Sequence, residues 1–310
     1  MKKTFKNVES ISGRVYQHDL VKKTVQNKES KNFGKEFISG TVDIAIDEEG
    51  LNVIPIHYTY VTEFTSNNNK NATYGVLNSI IEGAKTWITD GKEAALKVRA
   101  NTALALNDFY NNNNEFVSAK RNEGGFLNTI NELPPEAERG VFGFDIVITS
   151  AVRVVPEEDD AEDFVRIKGA IFDFRKALLP VELVCRDQNG MDYFESIEAS
   201  PSNPIFTEVR GNVVSNTIKK EIEEESAFGT ASVRTVTRTV REWQVTWAKP
   251  TEYVFGEEDT LTSEELKKMM QDRELYLAEV KKRALDYRKS RAEGTTSNTT
   301  STIPAGGFNF

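Results

Sequence analysis

The alternation of apolar and polar residues predicts that most of this chain forms β-strands. The segment 164–186 shows the pattern most clearly, because its aliphatic residues alternate with cationic and aromatic ones. A strand of this kind packs its aliphatic side against a core and turns the other side toward solvent. The residues on that second side are Arg166, Lys168, Ala170, Phe172 and Phe174. Exposed cations and rings on one strand face can pair with phosphates and stack on bases.

Residues 1–130 carry the pattern of three strands, a helix and two further strands. Strict alternation in FISGTVDIAID marks a strand, whereas helical apolar spacing begins at Thr73. This order of elements is that of an OB-fold, a small five-stranded Greek-key barrel. The predicted strands lie at 10–25, 37–47, 51–64, 108–110 and 115–120, and the helix lies at 73–87.

After a proline-containing linker at 131–138, residues 140–258 repeat the same order of elements. FISGTVDIAID around Gly40 aligns loosely with VRIKGAIFDFR around Gly169, so an internal repeat and a chance match remain alternatives. The sequence therefore predicts a mainly β protein with tandem OB-fold-like Greek-key barrels. The predicted elements of the second barrel are strands at 142–155, 164–186, 205–214 and 232–247, and a helix at 191–199.

The C-terminal part of the chain has a different pattern. Residues 262–292 predict an amphipathic helix that begins at Ser263, where two glutamates follow a good capping residue. Residues 293–310 form a Ser/Thr/Asn-rich tail that lacks the apolar residues of a core and is expected to be disordered. The predicted apolar stripe of the helix consists of Leu266, Met269, Met270, Leu275, Leu277, Val280 and Leu285.

Composition narrows the functional classes. The chain of 310 residues has room for two cores, and its longest apolar runs are far shorter than the roughly 20 residues that cross a bilayer. A single cysteine, Cys185, suits a reducing cytoplasm. The net charge of −9 argues against a uniformly basic nucleic-acid binder, so local patches must decide that question.

The sequence contains no recognisable catalytic motif. Walker A, GxGxxG, GxSxG and HExxH patterns are all absent, and two histidines with one cysteine make a zinc site improbable. His18 and His57 both fall in predicted strands, where a structural role is the simpler interpretation. Acidic pairs could hold magnesium, but chance adjacency explains them in a chain with 48 carboxylates. We therefore predict a non-enzymatic protein.

Cations and aromatic rings on predicted strand faces form the candidate nucleic-acid site. The alternative is that these rings pack under an inter-domain interface or under the C-terminal helix, and that Trp243 belongs to a structural cross-strand pair. Tyr58 and Tyr60 are predicted to lie in the core, and Gly124 and Gly125 to allow either the close approach of a backbone or a tight hairpin turn. The candidate residues are Arg14, Tyr16, Phe37, Lys120, Arg121, Phe126, Arg166, Lys168, Phe172, Phe174, Arg175 and Trp243.

The tail ends in Phe308 and Phe310 after a polar linker, and it resembles the C-terminal peptides of bacterial and phage single-stranded DNA-binding proteins. The acidic residues of that pattern are missing between Gly294 and Phe310. With the tandem barrels, the whole plan resembles a phage or replication-type single-stranded DNA-binding protein. The resemblance implies coating of single-stranded DNA in replication, recombination and repair, with no cofactor and no membrane. It also implies recruitment of a polymerase, primase or helicase through the tail.

Two other classes remain open from the sequence. A phage virion or assembly protein could use the helix and the aromatic tail for subunit contacts. A DNA-processing enzyme could use carboxylate-held magnesium. The assembly protein is expected to show no salt-dependent DNA affinity. The DNA-processing enzyme is expected to show metal-dependent turnover.

Overall fold

The computed structural model describes residues 4–156, 162–224, 232–257 and 260–292, and for 216–224, 232–238 and 292 it describes only the backbone. The first part of the chain contains β1 (Asn7–His18), β2 (Val21–Thr24), β3 (Glu36–Ala45), β4 (Val53–Thr62), α1 (Ala72–Ile81), α2 (Trp87–Asp90), β5 (Lys97–Tyr110) and β6 (Phe116–Thr129). The second part contains β7 (Gly140–Val154), β8 (Phe164–Phe172), β9 (Leu178–Cys185), α3 (Gln188–Ser196), β10 (Ile205–Glu224), β11 (Ser232–Ala248) and α4 (Ser263–Ala292). The tail residues Phe308 and Phe310 lie outside the described residues.

Strand pairing closes two barrels of the same topology. In barrel 1 the order is β1–β3–β4–β6–β5 and back to β1, and every pairing is antiparallel except β4–β6. In barrel 2 the order is β7–β8–β9–β11–β10 and back to β7, with β9–β11 as the parallel pairing. A helix follows the third strand in each barrel. The predicted mainly β fold with tandem OB-like barrels is confirmed, while the division into separate domains stays a prediction.

Several predicted elements are longer than expected. Residues 97–106, which the sequence pattern does not assign to any element, belong to β5, so β5 and β6 form a hairpin of two 14-residue strands. The glycine-containing stretch predicted as a turn lies inside β6. Residues 217–224, a charged stretch that lies outside the predicted strands, continue the β10–β11 ladder to the pair Glu224 and Ser232. In β5 the buried face is made of Val98, Ala100, Thr102 and Leu104, and the small and polar residues among them weaken the apolar signal of alternation.

The two barrels meet at the first strand of each. β1 pairs with β7 over five residue pairs, from Asn7 opposite Phe144 to Ile11 opposite Gly140, and all eleven strands therefore form one hydrogen-bonded sheet. Buried aliphatic residues from both barrels form one continuous core. The core residues alternate along the strands as the sequence predicts.

A second apolar cluster covers the outer face of barrel 2. Phe172 on β8 stacks on Phe5, with 4.1 Å between ring centroids, and contacts the edge of Phe206. Leu261 and the first turns of α4 close this cluster. The C-terminal segment therefore packs on the outer face of β8. Only part of the predicted apolar stripe of α4 faces the protein, since Met270, Leu275 and Leu285 are exposed.

An ion pair anchors α4 to barrel 1. Arg273 Nη1 lies 2.7 Å from Asp108 Oδ2 near the end of β5, and both side chains are almost fully buried. Farther along, Arg288 Nη2 donates to the carbonyl oxygen of Asn111 at 2.7 Å. The helix therefore bridges the outer face of barrel 2 and the β5–β6 hairpin of barrel 1.

A buried carboxyl group lies where the barrels meet. Glu9 on β1 accepts hydrogen bonds from Thr102 Oγ1 at 2.6 Å and from Trp243 Nε1 at 2.7 Å, so one partner comes from each barrel. Desolvation raises the pKa of Glu9 from 4.5 to about 7, although the two hydrogen bonds oppose that shift. The junction is therefore most stable when Glu9 is protonated.

The Glu9→Gln variant should remove a pH dependence of stability. Because the folded pKa is about 7 and the unfolded value is 4.5, the native state binds more protons in this window. The free energy of unfolding of the wild type should then fall between these pH values, by at most about 3 kcal/mol. Denaturant titrations at pH 5 and pH 8 measure this, with the exposed Glu36→Gln as a control. Identical pH slopes for wild type and Glu9→Gln would refute the assignment.

Breaking the Asp108–Arg273 pair should loosen α4. The Asp108→Ala variant leaves a nearly buried guanidinium without its counter-ion, which costs about 3 kcal/mol. Hydrogen exchange of the α4 amides should accelerate. Removing both charges in Asp108→Ala/Arg273→Ala should restore part of the protection. An unchanged exchange rate in the single variant would show that the pair does not hold the helix.

Candidate nucleic-acid interface

A groove opens in the wall of barrel 1 where β4 and β6 diverge. The two strands pair only at Ile56 with Asn122 and at His57 with Glu123. Beyond these pairs lies a cavity of about 740 Å³ between β4, β6, the start of α1 and the loop before β3. We call it the barrel-1 groove. Its volume is within the usual range for ligand sites.

Four aromatic side chains line the barrel-1 groove: Tyr60, Phe64, Tyr74 and Phe126. Phe64 and Phe126 are exposed to solvent, and Tyr60 and Tyr74 are half-buried. Phe37 supports the wall from β3, with its ring centroid 4.6 Å from that of Tyr60. Rings presented on both sides of an open groove are suited to stacking on planar ligands.

Local hydrogen bonds fix the floor of the groove. The side chain of Asn71 caps α1 by accepting from Thr73 N, and Thr73 Oγ1 accepts from Leu127 N on β6 at 3.1 Å. These bonds hold the start of α1, and with it Tyr74, against β6. Gly125 is the extra residue of a β-bulge, since Asn101 pairs with Phe126 and Thr102 pairs with Gly124.

Gly124 allows the ring of Tyr58 to pack beneath the groove. A Cβ atom at this position would lie 2.3 Å from the Tyr58 ring. At Gly125 a backbone approaches closely, since a Cβ atom there would lie 2.9 Å from the carbonyl oxygen of Asn101. The predicted turn is wrong, because both glycines lie within strand β6. Tyr58 itself is buried as predicted, but Tyr60 lines the groove. Tyr60 lies where β4 continues past the closed part of the barrel. There the alternation of side chains along the strand no longer separates the barrel interior from its exterior.

Charged groups surround the groove. Lys31 and Lys35 are exposed at its rim, and Glu36, Glu63 and Glu123 also line it. Glu123 accepts from Thr59 Oγ1 at 2.6 Å and lies 2.9 Å from Arg121 Nε.

His57 lies on the pairing that ends at the groove. Burial lowers the pKa of His57, and the nearby charge of Arg121 lowers it further. Its imidazole is therefore neutral at pH 7. Thr41 Oγ1 lies 3.2 Å from His57 Nδ1. This supports the predicted structural role.

Four of the predicted site residues lie on the outer face of barrel 2 and at the turn between β8 and β9. Lys168 is exposed, and Arg166 Nε lies 3.2 Å from Glu182 Oε1. The Arg166 guanidinium also lies 5.8 Å from the ring centroid of Phe164. At the β8–β9 turn, Phe174 is exposed and Arg175 lies over its ring at 5.0 Å. These four predicted residues remain at the surface.

Two predicted stacking residues are buried, and their assignment is wrong. Phe172 is fully buried, because Phe5 and the C-terminal segment cover that end of the outer face of β8. Trp243 is 1% exposed and donates to Glu9. Replacing either residue would test folding and not base stacking. For Phe172 the alternative interpretation, packing under the C-terminal segment, is correct. Trp243 also has a structural role, and the residue that binds its indole nitrogen is Glu9 at the junction of the barrels.

Lys120 links the barrels. Its Nζ donates to the carbonyl oxygen of Glu182 at 2.9 Å and lies 4.9 Å from the ring centroid of Trp243. Burial lowers the pKa of Lys120. Lys120 therefore contributes to the junction between the barrels, whereas the sequence predicted that it contacts a phosphate.

Arg14 is also engaged within the protein. Glu48 lies 2.8 Å from Lys92 Nζ, 2.6 Å from Arg139 Nη1 and 3.1 Å from Arg14 Nη1. These hydrogen bonds lower the pKa of Glu48 to about 2, and the bond from Lys92 makes the largest contribution. The neighbouring Tyr16 packs near Trp87, with ring centroids 5.9 Å apart. This cluster lies on the α2 side of β1, and neither residue lines the barrel-1 groove.

Of the predicted residues, Phe126 lines the barrel-1 groove, whereas Phe37 and Arg121 contact the lining residues Tyr60 and Glu123. Sequence reasoning missed Lys31, Lys35, Tyr60, Phe64 and Tyr74. Lys31 and Lys35 lie in the loop before β3, where alternation gives no signal, and Phe64 lies just beyond the end of β4 although the predicted strand included it. The sequence feature that could have identified the groove is the pair of aromatic residues, Phe64 and Tyr74, on either side of the Asn-rich loop 66–71.

Comparison with known proteins adds a family. A family model described as YorF matches residues 6–283, which is most of the chain. The chain belongs to the YorF family. No curated protein matches its sequence. The YorF-family chain is similar to a solved structure of a deletion mutant of the single-stranded DNA-binding protein from Thermus aquaticus. The identity is 9%, the TM-score is 0.45, and the match covers 83% of this chain and 100% of that one.

In the part of the YorF-family chain that the structure describes, no group of three or more histidine, cysteine, aspartate or glutamate side chains is arranged to hold a metal ion. Among the same residues, no helix is long and apolar enough to span a membrane.

Gly124→Ala should destabilise this YorF-family protein by about 2 kcal/mol, because the added methyl group overlaps the Tyr58 ring beneath the groove. Gly75→Ala is the matched control, since open space surrounds Gly75 within α1. There alanine should stabilise the helix by up to about 1 kcal/mol. Denaturant unfolding measures both changes. Equal effects of the two substitutions would contradict the packing described for Gly124.

Proposed function

We propose that this protein binds single-stranded nucleic acid, with DNA as its ligand, and that it does so without catalysis. The observation that carries the proposal is the barrel-1 groove, where aromatic rings line an opening in an OB-type barrel and two lysines lie at its rim. Bases would stack on Tyr60 and Phe126, and Lys31 and Lys35 would neutralise phosphates. Such stacking contributes about 1–3 kcal/mol per base and tolerates any sequence.

The exposed cations of barrel 2 extend the proposed path. Lys168 and Arg166 lie on the outer face of β8, and Arg175 and Phe174 lie at the next turn. The junction between the barrels brings β6 beside β9, because Lys120 reaches the carbonyl of Glu182. A strand leaving the groove along β6 would therefore meet barrel 2. Because the net charge of the chain is −9, attraction of phosphates depends on local cationic patches such as these.

We also propose the wider role implied by the resemblance, which is coating and protection of single-stranded DNA in replication, recombination and repair in a phage-infected cytoplasm. The tail with Phe308 and Phe310 would capture a polymerase, primase or helicase. A chain truncated after residue 293 should keep its DNA affinity and lose that capture. Unchanged capture by the truncated chain would remove the role of the tail.

The central test is a fluorescence titration of an oligo-dT of about 20 nucleotides at several salt concentrations, with and without magnesium. We expect binding that weakens as salt rises, because phosphate contacts release counterions, and we expect no cleavage. Tyr60→Ala and Phe126→Ala should each lower affinity about tenfold, whereas Tyr276→Ala on α4 should not. No binding at low salt would refute the function and favour an assembly role. Magnesium-dependent cleavage would favour an enzyme.

A further inference from the structure

The second half of α4 is strongly basic in an acidic protein. Residues 281–291 contain six cations and one carboxylate, which gives a formal charge of +5 in a chain of net charge −9. All of these cations are exposed except Arg288, which is half-buried. Within the described part of the chain, none of the six forms an ion pair with a carboxylate. The cations are Lys281, Lys282, Arg283, Arg288, Lys289 and Arg291.

Helix electrostatics do not account for this charge. Cations in the last turn of a helix stabilise its dipole, and Lys289 and Arg291 occupy that turn. Lys281, Lys282 and Arg283 lie about two turns earlier, where the effect of the dipole has faded. Clustered like charges repel one another, so the cluster does not arise from the stability of the helix.

The basic half is held beside the tip of the β5–β6 hairpin. Arg288 Nη2 donates to the carbonyl oxygen of Asn111, and Nη1 donates to Asn114 Oδ1. The tip is a formed turn, because Asn111 Oδ1 accepts from the backbone of Asn113 and Glu115, and Asn114 has φ of 65°. The helix and the tip therefore form one fixed surface.

Aromatic rings lie on the helix side of that hairpin. Asp108 contacts α4, and Tyr110 shares its face of β5 because the two residues are two positions apart. Phe116 pairs with Tyr110 across the hairpin, with 5.6 Å between ring centroids, and it is 44% exposed. On the helix itself, Tyr287 is 57% exposed among the cations.

We propose that residues 281–291 with Tyr110 and Phe116, the helix–hairpin patch, are a second binding surface for single-stranded nucleic acid. The cations pair with phosphates, and the exposed rings stack on unpaired bases, which a duplex or an acidic protein does not offer. The patch lies outside the barrel-1 groove and shares no residue with it. The choice of ligand rests on the proposed function. The patch therefore extends the footprint on the strand beyond what the barrels cover.

The test compares two pairs of lysines on α4, each pair consisting of two consecutive residues. Lys281→Gln/Lys282→Gln removes two charges from the patch, and Lys267→Gln/Lys268→Gln removes two exposed charges near the start of α4. Glutamine is about as good a helix former as lysine, so folding should be unaffected. Labelled oligo-dT of about 10 and about 45 nucleotides is titrated across a salt series. The shorter strand fits one barrel, and the longer one exceeds two.

For the long strand, Lys281→Gln/Lys282→Gln should lower affinity about tenfold and reduce the slope of log K against log salt by about 1.4. The short strand should bind all variants equally, and the control pair should match the wild type on both strands. Phe116→Ala should weaken long-strand binding without changing the slope, because a ring holds no phosphate.

Failure of the patch and failure of the barrels have different signatures. If both lysine pairs reduce long-strand affinity equally, the effect is general electrostatics and the patch is refuted. An unchanged long-strand affinity in Lys281→Gln/Lys282→Gln also refutes it. If the short strand fails to bind while the long strand binds through Lys281 and Lys282, the barrel site fails and the patch stands. Binding of neither strand by the wild type refutes both.

Discussion

The pairing of β1 with β7 is the constraint on which the rest of the structure depends. Each strand is the first of its barrel, so five residue pairs join the two closed ladders into one sheet. Glu9 lies within this pairing and receives hydrogen bonds from Thr102 of one barrel and Trp243 of the other. The relative position of the barrels follows from these contacts. That position places Lys120 of β6 against β9 and allows α4 to reach across both.

The C-terminal segment determines which surfaces remain available. It covers one end of the outer face of β8, where Phe172 packs under Leu261, and leaves the other end with Lys168 exposed. The same segment then anchors to the β5–β6 hairpin through Arg273 and Arg288. One helix thus closes an apolar face of barrel 2 and fixes the hairpin of barrel 1. The parts of the barrel surfaces that stay open to solvent are therefore those that α4 leaves uncovered.

Much of the fold could be predicted from sequence because period-two alternation reports directly which residues face a barrel core. Ile38, Val42 and Ile44 are buried as their pattern indicates. Alternation assigns Phe172 and Lys168 to the same face correctly, but it cannot report what covers that face from 90 residues away. The candidate site was harder to predict, because Tyr60, Phe64 and Lys35 come together only where β4 and β6 diverge. Trp243 was misassigned because its partner, Glu9, lies 234 positions away.

Each barrel is closed by its weakest ladder. The parallel closure has two residue pairs in barrel 1 and one in barrel 2, whereas every other junction around barrel 1 has at least four. Widening barrel 1 at this closure disrupts few backbone hydrogen bonds and leaves the antiparallel ladders intact. The barrel-1 groove opens directly beside it. A small displacement of β4 or β6 would therefore widen the groove while its floor, fixed by the hydrogen bonds between α1 and β6, stays in place.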